Sequence, residues 1–227
     1  MFIRQWMTTD VQTVTPDTLM MTAARTMKSH RVRRLPVVDE QGRLIGMVTD
    51  RDIKEASPSK ATTLDTHELY YLLSEIKVAD VMTKDPLALH PDDTLEQAVI
   101  LMGKHRYGGL PVIDDRRKVV GVISYSDVFM VISDIIGLGQ SDLRIIMENP
   151  ASSKDLLKLL GEIIDMGAKI VSVLSLPAEP DPKIRWLYLR FSPPNNMSPA
   201  KFIDHIDQNW HLLYWSQDKP IKQEPRK

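Results

Sequence analysis

Two short runs in this chain place a carboxylate three residues after a hydroxyl. They are Thr49-Asp50-Arg51-Asp52 and Ser124-Tyr125-Ser126-Asp127, and each follows a stretch typical of a β-strand. A carboxylate accepts two hydrogen bonds side by side, which suits the neighbouring hydroxyls of a ribose. A hydroxyl beside the free N–H groups at the start of a helix suits a phosphate. The two runs are therefore candidate sites for a phosphorylated sugar.

The same residue types also form helix caps. Ser or Thr followed three residues later by an acidic residue is close to a capping box, and a duplicated fold would duplicate its caps. The motif by itself leaves the two interpretations, ligand site and cap, equally open.

A basic corner stands just before a predicted strand, with His30, Arg31, Arg33 and Arg34 inside five positions. Arginine suits phosphate because its planar guanidinium group can bond bidentately. A solvated basic loop is the alternative interpretation. In a second copy of this region, described below, Gly108 and Gly109 replace Arg33 and Arg34. We therefore expect one charged site and a second site that differs from it or is weaker.

Signals for catalysis are missing from the sequence. It has no Walker loop, no dinucleotide glycine fingerprint, no G-x-S-x-G and no H-E-x-x-H, and the six histidines are scattered. The absence of cysteine removes disulfides, thiol nucleophiles and thiolate metal sites. We predict no catalytic residues, no metal ligands and no resident cofactor.

Composition and charge narrow the class of protein further. The net charge is −1, so no overall basic field attracts nucleic acid or anionic lipid. The longest apolar stretch, residues 128–138, is far short of the ~20 residues of a membrane helix. The first residues do not resemble a signal peptide. We expect a soluble cytoplasmic protein with no nucleic-acid or membrane partner.

The chain repeats itself at an interval of 75 residues. Met7-Thr8 aligns with Met82-Thr83, Leu35-Pro36-Val37 aligns with Leu110-Pro111-Val112, and no gap is needed between them. Each copy predicts the order β-α-β-β-α. The first strand of each copy, residues 11–15 and 87–90, ends at a proline. One such unit buries little apolar surface alone, so we expect two α+β units packed as a pseudo-twofold pair.

A different unit follows the second copy. Its pattern predicts β-α-β-β-α-β, which is the split βαβ plan of ferredoxin-like domains, with Leu187, Leu189 and Phe191 on one face of a strand. We predict repeat units at residues 1–60 and 78–137, a linker helix at 61–77, the third unit at 138–218, and a disordered tail at 219–227.

The tandem unit resembles a pair of CBS (cystathionine β-synthase) domains. The resemblance rests on the run from His30 to Asp39, on the run from Gly46 to Asp52, and on their equivalents in the second copy. It implies a cleft for an adenosyl ligand such as AMP, ADP, ATP, S-adenosylmethionine or NAD.

The resemblance also assigns a role to particular residues. Asp52 and Asp127 would hold the ribose, and Thr49 and Ser124 would lie near phosphates, together with Arg33 and Arg34. The adenine would lie against the backbone around Thr13, Val14 and Pro16 in the first copy, and around Ala88 and Pro91 in the second. Gly108 and Gly109 depart from the basic pattern, which puts phosphate recognition by the second half in doubt.

The C-terminal unit resembles an ACT domain, and the whole arrangement is similar to bacterial acetoin-utilisation CBS–ACT proteins. The resemblance implies a regulatory sensor that forms a homodimer. Two alternatives stay open: a structural or dimerisation module, and an accessory subunit of an unknown partner enzyme whose ACT-like unit binds an amino acid. The run Asn149-Pro150-Ala151 lacks the glycine that the family commonly has before its first helix.

Overall fold

The computed structural model describes residues 1–56, 75–139, 143–148, 152–178, 181, 184–194, 197–210 and 212–217. The chain divides into two compact units, Met1–Phe129 and Met130–Lys227. Most of the linker helix predicted at 61–77 and the whole of the tail predicted at 219–227 lie outside the described residues.

The first unit contains the two copies of the repeat, except residues 130–135 at the end of the last helix, which belong to the second unit. The first copy consists of helix α1 (Met20–His30), strands β1 (Arg34–Val38) and β2 (Leu44–Thr49), and helix α2 (Asp50–Ala56). The second copy begins with helix α3 (Val78–Val81) and strand β3 (Thr83–Lys84). It continues with helix α4 (Leu95–His105), strands β4 (Gly109–Ile113) and β5 (Val119–Ser124), and helix α5 (Tyr125–Ile135).

The two copies agree in the details of their strand pairing. β1 pairs antiparallel with β2, and β4 pairs antiparallel with β5 in the same register, each with an irregularity near the end of its first strand. Helices α1 and α4 end at Arg31 and Arg106, both left-handed with φ of 55°. A left-handed residue ends a helix and turns the chain towards the next strand. The predicted repeat is confirmed.

The first predicted strand of each copy is corrected to a single bridge. Val14 pairs in parallel with Val37, and Leu89 pairs in the same way with Val112. Two residues later the chain reaches Pro16 or Pro91. Because proline has no N–H, the next hydrogen bond of a parallel ladder cannot form. The bridge is therefore as long as the sequence allows.

Each copy begins by packing on the other copy. Thr8 of the first copy forms a bridge with Val122, and Thr83 of the second copy pairs with Met47. The sulfur of Met7 lies where a side chain on Gly121 would project, and Met82 lies in the same way over Gly46. The N-terminal segment of each copy therefore packs on the strand pair of the other copy. We call these two segments, at Met7-Thr8 and Met82-Thr83, the exchanged segments.

Apolar side chains at helical and strand spacing form the core of this unit. Ala23 and Met27 of α1 pack with Leu35, Val37 and Val48 of the first strand pair, all fully or almost fully buried. In the second copy the equivalent residues are also buried: Ala98, Met102, Leu110, Val112 and Ile123. Burial of such side chains contributes about 1.5–3 kcal/mol each.

In its described residues the second unit has, after the end of α5, one four-stranded sheet and two helices. Its elements are β6 (Leu143–Glu148), α6 (Ser153–Asp165), β7 (Lys169–Pro177), β8 (Arg185–Ser192), α7 (Pro199–Trp210) and β9 (Leu212–Gln217). The strands lie in the order β7-β8-β6-β9, and all three pairings are antiparallel. The predicted order β-α-β-β-α-β is present.

Local sequence explains these elements. The Ser152 side chain accepts a hydrogen bond from the N–H of Asp155 and caps α6. Leu187, Leu189 and Phe191 alternate along β8 and are fully buried, and the ring of Phe191 packs 5.1 Å from that of Phe202 on α7. No helix in the described residues has the length and apolarity to cross a membrane.

Candidate functional site

Both candidate motifs lie where a strand meets a helix. At the end of β5, the N–H and Oγ of Ser124 donate to Oδ2 of Asp127 at 2.8 and 2.6 Å. At the end of β2, the N–H and Oγ1 of Thr49 donate to Oδ2 of Asp52, both at 2.7 Å. These are the contacts of a cap. Among the described residues these bonds reach Oδ2 of each carboxylate, which leaves Oδ1 as a second acceptor.

A cavity of about 640 Å³ opens beside the motif of Ser124 and Asp127. Four stretches of the first unit form it: the N-terminal segment, the corner between α1 and β1, the corner between α4 and β4, and the junction of β5 with α5. Its lining residues are Thr8, Asp10, Val11, Gln12, Arg31, Val32, Arg33, Arg34, Gly108, Val122, Ser124, Tyr125, Ser126, Asp127 and Phe129. Residues 8–12 and 31–34 of the first copy thus line a cavity beside the Ser124 and Asp127 motif of the second copy.

Arg34 is the least exposed of the three arginines that line this cavity. Its backbone pairs with Thr49, but its guanidinium group lies over the backbone of Gly108 and Gly109 in the second copy. Nη1 of Arg34 is buried and has no hydrogen-bond partner among the described residues. The structure therefore holds a desolvated donor that lacks an acceptor.

Burial and the neighbouring charges have opposing effects on the pKa of Arg34. Burial lowers the pKa of the guanidinium group, Asp50 raises it, Arg33 lowers it and Asp127 raises it. Arginine nevertheless stays protonated in proteins. The cavity therefore combines the half-buried Arg34 guanidinium group with the carboxylates of Asp10 and Asp127, which suits a ligand that carries both hydroxyls and an anionic group.

The glycines of the second copy make room for this guanidinium group. A Cβ atom at Gly109 would overlap Nη1 of Arg34, and one at Gly108 would lie 2.5 Å from Nη2. The sequence suggests that these glycines weaken phosphate recognition by the second half. The structure instead places Arg33 and Arg34 in the cleft of the second copy's motif. Residue spacing in the sequence does not predict that arginines of the first copy lie beside the motif of the second copy, because this placement depends on how the two copies pack.

The cavity collects four of the predicted site residues, namely Arg33, Arg34, Ser124 and Asp127. Thr49 and Asp52 form the equivalent motif at the end of β2. Six other predicted residues are absent from the cavity lining: Thr13, Val14, Pro16, Ala88, Pro91 and Gly109. Val14 is 8% exposed and belongs to the core. Gly109 lies beneath the Arg34 side chain.

The sequence argument missed Thr8, Asp10 and Tyr125. The identity of Met7-Thr8 with Met82-Thr83 was a signal that the N-terminal segment belongs to the repeat, but only the fold shows which motif it faces. Tyr125 is fixed by a hydrogen bond of 3.2 Å from its hydroxyl to the carbonyl oxygen of Met102. Its N–H donates to the carbonyl oxygen of Gly108 at 3.2 Å.

A second cavity of about 510 Å³ lies elsewhere in the first unit, lined by Asp39, Arg43 and Arg117 among others. Its arginines are paired, Arg43 with Asp39 at 2.7 Å and Arg117 with Asp85 at 2.8 Å. It contains none of the predicted site residues. In the described part of the chain no group of three or more His, Asp or Glu could hold a metal ion.

A family model described as the CBS domain matches residues 3–59 and 78–134, which is half of the chain. The chain belongs to the CBS domain family. The two matched stretches are the two copies of the repeat, so the protein contains a tandem CBS pair.

Individual relatives match the same region. The CBS domain-containing protein YhcV of Bacillus subtilis is 36% identical over 126 residues, which cover 56% of this chain and 81% of YhcV. Inosine-5'-monophosphate dehydrogenase of Methanocaldococcus jannaschii is 34% identical over 119 residues, covering 52% of this chain but only 21% of the enzyme. In such an enzyme relative, four fifths of the length lies outside the match.

A solved structure extends the comparison to the fold. CBSX2 of Arabidopsis thaliana, solved in complex with AMP, is similar with a TM-score of 0.50 and 27% sequence identity. The match covers 59% of this chain and 97% of CBSX2.

Proposed function

We propose that the chain is a regulatory protein whose CBS pair binds an adenosyl ligand in the cavity at Asp127. One observation carries this proposal: the cavity brings the Asp127 carboxylate together with a buried Arg34 guanidinium nitrogen that has no hydrogen-bond partner in the described part of the chain. The complex of CBSX2 with AMP supports the ligand class. The short match to the enzyme relative favours a regulatory module over a catalytic one.

The lining residues have distinct roles in this proposal. Oδ1 of Asp127 accepts hydrogen bonds from the ribose hydroxyls, while Ser124 holds Oδ2 in place. Arg31, Arg33 and Arg34 face the phosphate. Arg34 contributes most because it is already desolvated, so a charge-assisted hydrogen bond there replaces an unsatisfied donor.

Isothermal titration calorimetry on the full chain tests this function. The panel consists of adenosine, AMP, ADP, ATP, S-adenosylmethionine and NAD. We expect at least one of them to bind, and Asp127→Ala to weaken its binding about tenfold or more, because charge-assisted hydrogen bonds are lost. Asp52→Ala removes the same kind of cap from the other copy and is the matched control. No binding by the panel, or equal binding by the Asp127→Ala protein, contradicts the proposal.

We propose in addition that the second unit is a ferredoxin-like, ACT-type module. The strand order β7-β8-β6-β9 with helices α6 and α7 supports this proposal. The loop at residues 149–151, where the sequence lacks glycine, lies outside the described residues. Amino-acid sensing by this unit is tested by thermal shift against the standard amino acids. A link to acetoin rests on resemblance alone and is tested by growth of a deletion strain on acetoin.

Self-association belongs to the same proposal. Leu213, Tyr214 and Trp215 on the outermost strand β9 are between 43% and 48% exposed, and contiguous exposed apolar residues favour association. We expect light scattering at micromolar concentration to give a mass near twice the 25.9 kDa of one chain. A mass of one chain contradicts the homodimer.

A further inference from the structure

The open face of the sheet in the second unit carries its side chains in transverse rows. Helices α6 and α7 pack on the opposite face, against the core residues of β6 and β8. One row, which we call the arginine row, takes one residue from each strand: Ser172, Arg190, Arg144 and Ser216. The next row, which we call the apolar row, consists of Leu174, Tyr188, Ile146 and Tyr214. Two arginines therefore lie side by side along an apolar strip.

The arginine row is largely buried. Arg190 is 8% exposed and Ser172 is 9% exposed, and Oγ of Ser172 donates to the carbonyl oxygen of Ile136, just after α5, at 2.9 Å. Nη2 of Arg144 donates to Oγ of Ser216 at 3.1 Å. Nε of Arg144, in contrast, is buried and has no hydrogen-bond partner in the part of the chain that the structure describes. A desolvated donor in this state favours an acceptor that can reach it.

The charges of the row make an anion the best acceptor. Arg144 on β6 pairs directly with Arg190 on β8, and like charges opposite each other across a sheet destabilise it. Glu148 is the one carboxylate among the described strand residues of this face, and it lies four residues further along β6 than Arg144. An anion on the arginine row would reduce the repulsion and supply an acceptor to Nε.

The neighbouring residues favour an anion that has an apolar body. Ile146 and Tyr188 each lie two residues from an arginine of their own strand, so their side chains are on the same face. The ring of Tyr214 lies 5.8 Å from the guanidinium carbon of Arg144. Tyr214 is 48% exposed, so its ring has room to move when a ligand approaches Nε. A carboxylate on the arginine row would place an attached apolar group over the apolar row.

We propose that the open face of the second unit's sheet binds an organic carboxylate, with the carboxylate on Arg144 and Arg190 and the apolar body over the apolar row. Guanidinium groups bind carboxylates through paired, charge-assisted hydrogen bonds. An amino group next to the carboxylate would place a second cation beside the two arginines. The site therefore prefers an acid without an amino group to the amino acid of the same shape. This inference goes beyond the adenosyl function, because it concerns the other unit.

The first experiment is isothermal titration calorimetry of the full chain with hydrocinnamate, an acid with a phenyl ring. Hydrocinnamamide is its neutral match, and phenylalanine is the same acid with an amino group. We expect hydrocinnamate to bind about tenfold or more tightly than either compound, because each lacks the charge balance of the site. No binding of hydrocinnamate, or equal binding of the amide, overturns the inference. Phenylalanine binding as tightly as hydrocinnamate overturns the preference for an acid without an amino group.

A pair of arginine variants locates the site on the sheet. Arg144→Ala should weaken hydrocinnamate binding about tenfold or more, because it removes the charge-assisted bonds. Arg185→Ala on β8 is the matched control. Strand alternation places Arg185 on the opposite face, where its guanidinium group donates to Oγ and to the carbonyl oxygen of Ser175 at 3.0 and 2.7 Å. The control should change the affinity by less than about twofold. Equal losses in the two variants contradict the site.

A third variant supplies the missing anion from the chain itself. Because Oγ of Ser216 accepts a hydrogen bond from Arg144, Ser216→Asp brings a carboxylate to the same guanidinium group. We expect the ligand-free protein to melt at a higher temperature than Ser216→Asn, which is neutral and has the same shape, and to bind hydrocinnamate several-fold more weakly. Equal affinity in the two variants overturns the inference, and this comparison decides even if Arg144→Ala does not fold. Each of these results leaves the adenosyl proposal for the first unit unchanged.

Discussion

A buried guanidinium nitrogen without a hydrogen-bond partner is unusual, because the loss of its hydration is not repaid. Leaving such a donor unsatisfied destabilises a folded protein by about 1–3 kcal/mol. Nη1 of Arg34 is in this state, in a cavity large enough for a small molecule. An anionic ligand would supply the missing acceptor. The free energy lost by leaving Nη1 unsatisfied would then be recovered on binding and would strengthen the affinity for the ligand.

The carboxylates of the two motifs can cap a helix and bind a ligand, and measurements of stability without ligand isolate the capping role. Asp52 and Asp127 accept closely similar hydrogen bonds from Thr49 and Ser124. We therefore predict that Asp52→Ala and Asp127→Ala lower the free energy of unfolding by similar amounts, about 1 kcal/mol each. Urea denaturation of the ligand-free proteins measures this.

The prediction concerns the cap alone. A much larger loss of stability for one variant than for the other means that its carboxylate has structural contacts beyond the cap. Binding data from the same two variants then show whether only Asp127 adds a ligand role.

At the scale of elements, the repeat made much of the first unit predictable. Identities 75 residues apart showed that the chain contains a repeat. Apolar periodicity and turn residues then predicted both strand pairs and the helices α1 and α4, because these signals depend only on neighbouring residues. The first strands, predicted at residues 11–15 and 87–90, are single bridges at Val14 and Leu89, because Pro16 and Pro91 have no N–H for the next hydrogen bond. A strand was also missed: β3 has two residues, too few to show a period.

The site was harder to predict than the fold. The sequence supplied Asp127, Ser124 and Arg34, yet it attached the arginine to its own copy. Whether Arg34 faces Asp52 or Asp127 depends on packing between residues far apart in the chain. The glycines at 108 and 109 were visible as an asymmetry, but their meaning required the position of the guanidinium group.

The exchanged segments yield a prediction about packing between the copies. Gly121 allows the sulfur of Met7 to approach the backbone of β5. Gly121→Val should force the N-terminal segment away and lower the free energy of unfolding by about 1–3 kcal/mol, as overpacking does. Urea denaturation gives the magnitude.

A double-mutant cycle supplies the control for this prediction. Met7→Ala removes the side chain that Gly121→Val displaces, so the double variant should lose less stability than the sum of the single variants. Strict additivity means that the valine disturbs β5 for some other reason.

At the scale of the whole molecule, the chain consists of two compact units. The first is a duplicated CBS repeat, and the second has its own core of Leu143, Leu189, Phe191, Phe202 and neighbouring residues. A unit with its own core can unfold by itself. A ligand then stabilises only the unit that binds it, by an amount set by its concentration relative to its Kd.

This separation predicts two transitions in differential scanning calorimetry of the full chain. Leu189 is fully buried in the second unit, so Leu189→Ala should destabilise one transition by about 2–5 kcal/mol through lost burial and a cavity. ATP at one hundred times its Kd should stabilise the other transition by about 2.7 kcal/mol. Arg34→Ala should remove most of that ATP effect and leave the Leu189-sensitive transition unchanged. A single transition shifted by both ATP and Leu189→Ala would show that the two units unfold together, and that a ligand in the CBS pair stabilises the whole chain.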